Sequence, residues 1–149
     1  MNVRDDYLLR LIHQVRAVLA AALGRMKKKE PAAILQECGP LLERTVGLSL
    51  DAMDALSLEG LLGALSPGGE LSTTRAALAG ELLLVRAEAL RDLAQPEASR
   101  RSAARAAALF DAVTDETAQQ APPDDDDERA LLDEDHMEEL RARAGTLLR

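Results

Sequence analysis

The residue types best suited to chemistry lie close together near the C-terminus. On a helix, Asp133 and His136 share one face, and a carboxylate three residues from an imidazole is half of a carboxylate–histidine metal site. A complete site needs a matching pair from another helix. The other histidine, His13, has Arg10 at the corresponding position, so the sequence predicts no metal site. The full group of acidic and histidine residues near the C-terminus, called the acidic cluster below, consists of Asp133, Asp135, His136 and Glu139.

The acidic run before this cluster imitates the start of a calcium-binding loop through Asp124, Asp126 and Glu128. Such a loop requires glycine at its sixth position and glutamate at its twelfth, where this chain has Arg129 and Asp135. The sequence also contains no glycine-rich phosphate loop, no strained nucleophile turn and no paired cysteines. We therefore predict no catalytic residue and no cofactor, and expect that the protein is not an enzyme.

Three side chains near the N-terminus support an alternative to a protein without a ligand site. Tyr7, Arg10 and His13 could supply polar contacts to a small ligand in a pocket between helices. His13 lies beside an apolar stripe, where a surface position is commoner than the role of general base. A small-ligand binder or enzyme with such a pocket stays open as the alternative.

The composition favours helices. The chain of 149 residues contains 27 Ala and 28 Leu but one Phe, one Tyr and no Trp. Alanine and leucine are strong helix formers, and the shortage of aromatic and β-branched residues disfavours sheet. The sequence therefore predicts an all-α fold. The lone Cys38 falls on the apolar side of a predicted helix, which indicates a buried, inert thiol in a reducing compartment.

All of the net charge of −8 lies in the last part of the chain. Residues 1–113 carry 14 basic and 14 acidic side chains, whereas residues 114–149 carry 4 and 12. This segregation is typical of an acidic appendage, and a nucleic-acid partner is not expected because phosphate binding requires a basic surface. Arg10, His13 and Arg16 interrupt the N-terminal apolar stretch, so we predict no secretory signal, no membrane span and a cytoplasmic location.

Periodic apolar residues predict the first elements. Serine at an N-cap position marks helix starts at Ser49 and Ser57, which predicts two short helices, and the turn at residues 66–69 follows them. The two helices before them are predicted from Asn2 or Asp5 to about Met26, and from Pro31 through Pro40 to Gly47.

Two consecutive helices are predicted between Thr73 and Val113, and small residues line their facing sides in the manner of a tetratricopeptide-type hairpin. The first of them, residues 73–94, is apolar over most of its circumference and is predicted to be the central helix. Its narrow polar stripe contains Glu81, Glu88, Asp92 and Gln95. The lining residues are Leu83, Ala87, Leu90 and Ala94 on the first helix and Ser99, Ala103 and Ala106 on the second.

Basic side chains gather on the predicted exposed side of the second helix, at Arg100, Arg101 and Arg105. Residues 114–128 are acidic and contain two prolines, which predicts a linker, and residues 129–149 predict an amphipathic helix. We expect the acidic tail either to fold over these arginines, in the same chain or in a dimer partner, or to stay solvated.

Three stretches of the chain resemble a small family of uncharacterised bacterial proteins with a tetratricopeptide-like (TPR-like) helical fold. They are Asp6 to Gln14, Thr45 to Leu48 and the hairpin from Glu81 to Phe110. The resemblance covers residues 1 to about 113 and implies antiparallel helical hairpins, about five core helices, without implying an activity. The expected organisation is a TPR-like domain at 1–113, a linker at 114–128 and a C-terminal amphipathic helix at 129–149.

Helical hairpins of this kind bind other molecules more often than they catalyse. We therefore expect a noncatalytic protein–protein interaction module with a protein partner whose identity is unknown. A structural homodimer is the further alternative, with the leucine-rich face of the central or the last helix as its interface.

Overall fold

The computed structural model describes residues 3–28 and 30–149, apart from the side chains of residues 3–5, 25 and 26. Over these residues it contains eight α-helices, one short 3-10 turn at Pro67–Gly69 and no strand, which confirms the all-α class. The alternative start at Asn2 lies outside the described residues. The helices are α1 Val3–Lys27, α2 Pro31–Val46, α3 Leu50–Ala55, α4 Leu58–Ala64, α5 Thr73–Asp92, α6 Pro96–Thr117, α7 Asp126–Leu131 and α8 Glu134–Leu148.

Short-range signals set the ends of the early helices as predicted. The Ser49 hydroxyl accepts a hydrogen bond from the Ala52 amide at 3.1 Å, and the Ser57 hydroxyl accepts one from the Gly60 amide at 3.0 Å. These bonds satisfy amides that lack a partner at a helix start. Gly47 ends α2 in the left-handed conformation at φ 85°, which glycine adopts without strain.

α5 is the central helix, because 14 of its 20 residues are buried and it packs against α1, α2, α6, α7 and α8. Its closest partner is α6. The hydroxyls of Ser99 and Ser102 on α6 donate to the Ala87 and Leu83 carbonyl oxygens of α5, both at 2.7 Å. Bonds from such short side chains to the neighbouring backbone require the two helices to lie close together, as the small-residue lining predicted.

The predicted lining is buried except at Ala94. That residue lies two positions beyond the end of α5 and adopts a positive φ of 60°. The Gln95 amide then bonds the Leu90 carbonyl at 2.9 Å, which caps the helix terminus before Pro96 opens α6. The central helix is therefore two residues shorter than predicted.

The tail is more ordered than the sequence suggested. α6 continues to Thr117, the loop covers only residues 118–125, and the predicted last helix is divided into α7 and α8. Asp125 and Asp133 cap these helices by accepting amide hydrogen bonds at 3.0 and 3.1 Å. Carboxylates at helix N-termini are stabilised by the helix dipole, so part of the acidic run starts helices where it was expected to form a linker. Leu131, Leu140 and other tail residues join the same hydrophobic core as α5.

Cys38 is completely buried, as predicted. Burial, with a smaller effect from the neighbouring Glu37 carboxylate, raises the pKa of its thiol to about 11, while Arg86 opposes the shift. The thiol is therefore protonated near neutral pH, and a protonated buried thiol is a poor nucleophile.

Residues Asp6–Gly24 of α1 have the length and apolar composition of a membrane-crossing helix, and 22% of that stretch is buried. Our expectation that no such stretch exists is wrong by this criterion, because its charged residues are too few to lower the mean hydropathy enough. Core helices of soluble proteins and signal sequences share these properties. The absence of a membrane partner stays a prediction.

Candidate functional site

The last helix binds the rest of the protein through a regular apolar seam. Its four buried side chains recur at alternating intervals of three and four residues, the spacing with which one helix packs against another in a coiled coil. α8 packs mainly against α6 and also against α5. The seam consists of Met137, Leu140, Ala144 and Leu147.

Charged pairs flank this seam. His136 Nε2 lies 2.5 Å from Glu81 Oε1, and Arg143 Nη2 donates to Glu88 Oε1 at 2.5 Å. Both acids are on α5 and both basic residues are on α8, each pair seven residues apart, so α8 runs parallel to α5. We call the face of α5 and α6 beneath α8 the α8-binding surface. It is marked by Glu81, Glu88 and Asp111, the last paired with Arg141 at 3.5 Å.

The Glu81–His136 pair is the most buried of these contacts. The Glu81 side chain is 8% exposed and that of His136 is 37% exposed. The hydrogen bond to Glu81 raises the pKa of His136; burial opposes this effect, and the charges of Glu81 and Glu139 add to it. The raised pKa favours the imidazolium form where α8 meets the central helix, and in that form the pair is a charge-assisted hydrogen bond.

α7 attaches the tail to the first helix. Arg16 donates to the Asp127 carboxylate at 3.3 Å and to its carbonyl oxygen at 3.2 Å, and His13 Nε2 lies 3.6 Å from the same carboxylate. The acidic segment thus contacts basic side chains of α1. These contacts place α7 and the start of α8 beside α1 and leave a concavity between them.

That concavity, the α1–α5–α8 groove, has a volume of about 420 Å³. Its walls are mostly aliphatic, and its polar groups are those that attach the tail. Leu23 at its edge is 59% exposed. Ala17, Ala20 and Ala21 also lie exposed, on an adjoining face of α1. The lining residues are Arg16, Leu19, Ala22, Leu23, Glu81, Leu84, Val85, Ala130, His136, Leu140 and Arg143.

The three residues proposed for a polar pocket make separate contacts. The Tyr7 hydroxyl lies 3.5 Å from the Arg44 carbonyl oxygen, and Arg10 donates to the Asp6 carbonyl oxygen at 3.4 Å within its own helix. His13 faces Asp127, as described above. None of the three lines the α1–α5–α8 groove.

The arginines of α6 hold α3 in place. Arg105 donates to the Met53 carbonyl oxygen at 2.7 Å, and Arg101 donates to that of Asp54, while Arg100 is exposed. These carbonyls are at the end of α3, where few helical amides are left to bond them; the Met53 oxygen also accepts from the Leu56 amide at 3.2 Å. Burial, followed by the charge of Arg101, lowers the pKa of Arg105. Within this chain the tail contacts α1, α5 and α6, and Arg101 and Arg105 contact α3; contact of the tail with these arginines in a dimer partner stays a prediction.

The charged pairs between α5 and α8 were not predicted from the sequence. Glu81 and Glu88 were predicted only to belong to the polar stripe of the central helix, whereas the Glu81 side chain is buried beneath α8. The signal was present: both helices carry opposite charges at the same seven-residue spacing, as complementary helices do. Within the described residues no group of three or more potential ligands is placed to hold a metal ion. The Asp133 carboxylate caps α8 and the His136 ring binds Glu81.

Comparisons with protein-family models, with curated proteins and with solved structures find no match to this chain. The TPR-like resemblance of residues 1–113 therefore stays a prediction.

Proposed function

We propose that this protein is a noncatalytic protein-interaction module that binds an amphipathic helix of a partner protein in the α1–α5–α8 groove. One observation carries the proposal: Leu23, 59% exposed, lies at the edge of a concave and mostly aliphatic surface. A large exposed apolar side chain beside an apolar concavity is typical of surfaces that bind other proteins.

The dimensions of the groove suit a helix. Along α1 it extends from Arg16 to Leu23, seven residues or about 10 Å, which corresponds to two helical turns. An amphipathic helix presents apolar side chains over that distance at positions i, i+3 or i+4, and i+7. The basic side chains at the groove, Arg16, His136 and Arg143, are already paired with Asp127, Glu81 and Glu88, so we expect the apolar stripe of the partner helix to supply most of the binding energy.

The proposal is tested by comparing two leucine-to-glutamate variants in affinity capture from the native host. Leu23→Glu places a charge inside the groove, and Leu58→Glu, at a 42% exposed leucine on α4, is the matched control. We expect a partner that the wild type and Leu58→Glu capture equally and that Leu23→Glu binds at least ~10-fold more weakly, since an unpaired charge in an apolar contact costs over ~1.4 kcal/mol. Equal capture by all three proteins would contradict the proposal.

A homodimer is the second candidate, favoured by the exposed small side chains Ala17, Ala20 and Ala21, which share one face of α1 with Leu23 at its border. Small residues let two helices approach closely, so this face of α1 suits a second copy of itself. Light scattering of the purified protein decides between the two. A dimer that Leu23→Glu converts to a monomer supports self-association, whereas a wild-type monomer leaves the groove to another protein.

A further inference from the structure

The contacts of α8 with α5 and α6 are of the two kinds by which one helix recognises another. They combine a buried seam from Met137 to Leu147 with two charge pairs one heptad apart. We infer that the α8-binding surface is itself a docking site for a helix of a partner protein, and that α8 is its built-in competitor. The inference rests on the proposed function as a protein-interaction module, but it concerns the face beneath α8, which shares Glu81 with the α1–α5–α8 groove.

The buried acids specify the chemistry of that partner. The Glu81 and Glu88 side chains on the central helix are only 8% and 17% exposed. A carboxylate covered to this extent is costly unless a cation is hydrogen-bonded to it. A helix that replaces α8 must therefore present two basic side chains seven residues apart, next to an apolar seam with the spacing of α8.

α8 is attached in a way that allows its replacement. Its two charge partners remain 37% and 40% exposed, so water and competing groups can reach them. The loop of residues 118–125, eight residues long, can extend to about 26 Å, which is long enough for α7 and α8 to move away from α6 while they stay connected to it.

The tether also sets the strength that a competitor needs. A segment on a short flexible linker has an effective concentration on the order of 1 mM at its own binding surface. A free helix at about 1 µM must therefore bind this surface ~1,000-fold more tightly than α8 does, unless α8 is first weakened. The surface is thus closed at rest and opens to partners that match its charges better.

The test uses the full chain with α8 repelled from its surface. His136→Glu together with Arg143→Glu places acids against Glu81 and Glu88. The control, Ala142→Glu together with Arg149→Glu, changes one exposed residue of α8 and the exposed residue that follows it, and it introduces the same change in charge when His136 is counted as neutral. The probe is a fluorescent peptide of residues 133–149. We expect it to bind the repelled variant at least ~10-fold more tightly than the wild type or the control. Equal binding to all three proteins overturns the inference.

A second peptide tests the partner chemistry. It keeps only positions 136, 137, 140, 143, 144 and 147 of α8 and replaces the others with unrelated helix-forming residues. Binding within about threefold of the native peptide supports the stated partner class, and undiminished binding after glutamate is placed at positions 136 and 143 of the peptide overturns it.

The wild-type chain keeps the inference testable if the repelled variant does not fold. At a concentration on the order of 10 mM, above the effective concentration of α8, the second peptide should then increase hydrogen exchange of the α8 amides and leave that of the α2 amides unchanged. Unchanged exchange of α8 overturns the inference. Leu23→Glu does not alter the α8-binding surface, so the groove proposal and this inference can fail separately.

Discussion

At the scale of single residues, Gly80 and Phe110 limit how closely α5 and α6 can approach each other. A Cβ atom added at Gly80 would lie 2.5 Å from Cε1 of the fully buried Phe110 ring, closer than carbon atoms approach without contact strain. Only glycine fits at this point of the hairpin. Together with the hydroxyl-to-carbonyl bonds of Ser99 and Ser102, this contact holds the central helix against its neighbour.

Gly80→Ala should therefore destabilise the protein although alanine is the better helix former. Overpacking costs ~1–3 kcal/mol in the free energy of unfolding, which outweighs the gain in helix propensity of about 1 kcal/mol. Gly145→Ala is the control, since nothing lies within 4 Å of an added Cβ there, and it should stabilise the protein by ~0.5–1 kcal/mol. Chemical denaturation measures both, and equal stabilisation by the two changes would mean that the helices do not meet at Gly80.

Single residues also show how far sequence reasoning reaches. Ser49, Ser57 and Gly47 were predictable because their effect is local: each acts on amides or dihedral angles within three residues. Ala94 was not, since an alanine with positive φ contradicts its own preference and is imposed by the turn into α6. Glu81 was predicted to lie in a polar stripe, but its burial was not predicted, because no local rule states that a distant helix will cover it.

α8 is the informative case at the scale of elements. Its apolar stripe predicted an amphipathic helix, but the break after Leu131 was missed because Asp133 was weighed as a metal ligand and acts as an N-cap. The docking surface was missed for another reason. The charge segregation of the tail suggested contacts with the arginines of α6, whereas the matching spacing of charged residues on α8 and α5 decides where the helix binds.

The His136–Glu81 pair makes docking of α8 depend on pH. The pKa of His136 in the folded state is raised above its usual value of about 6.5. Its stabilising effect is therefore complete below that usual value and is lost as the pH rises through the folded-state pKa. We expect the free energy of unfolding of the wild type to fall across this interval relative to that of His136→Gln.

The control for this pH dependence is His13→Gln, at a histidine 67% exposed beside Asp127. That variant should keep the decline seen in the wild type. Arg16 and Glu139 also act on His136, so both stay unchanged in every protein compared. A wild type and a His136→Gln variant with parallel stability curves from pH 5 to 9 would rule out an energetic role for the pair.

Over the whole molecule, the elements share one hydrophobic core that extends from Leu11 of α1 to Leu147 of α8. The all-α class followed from composition and periodicity, because alanine and leucine leave few other ways to form a core. The position of the tail could not be predicted in this way, because composition gives the charge of the tail but not the helices that it contacts. The acidic tail thus supplies helix caps, an ion pair with α1 and a helix that covers α5.

Native-state hydrogen exchange of the full chain tests most directly the central claim that α8 is a bound but separable helix. We predict that the α8 amides are protected, and that they exchange through an opening that costs less free energy than exchange in α5, which opens only with global unfolding. Equal exchange free energies for α8 and α5 would show that the helix does not separate. Unprotected α8 amides would show that it is not bound at all.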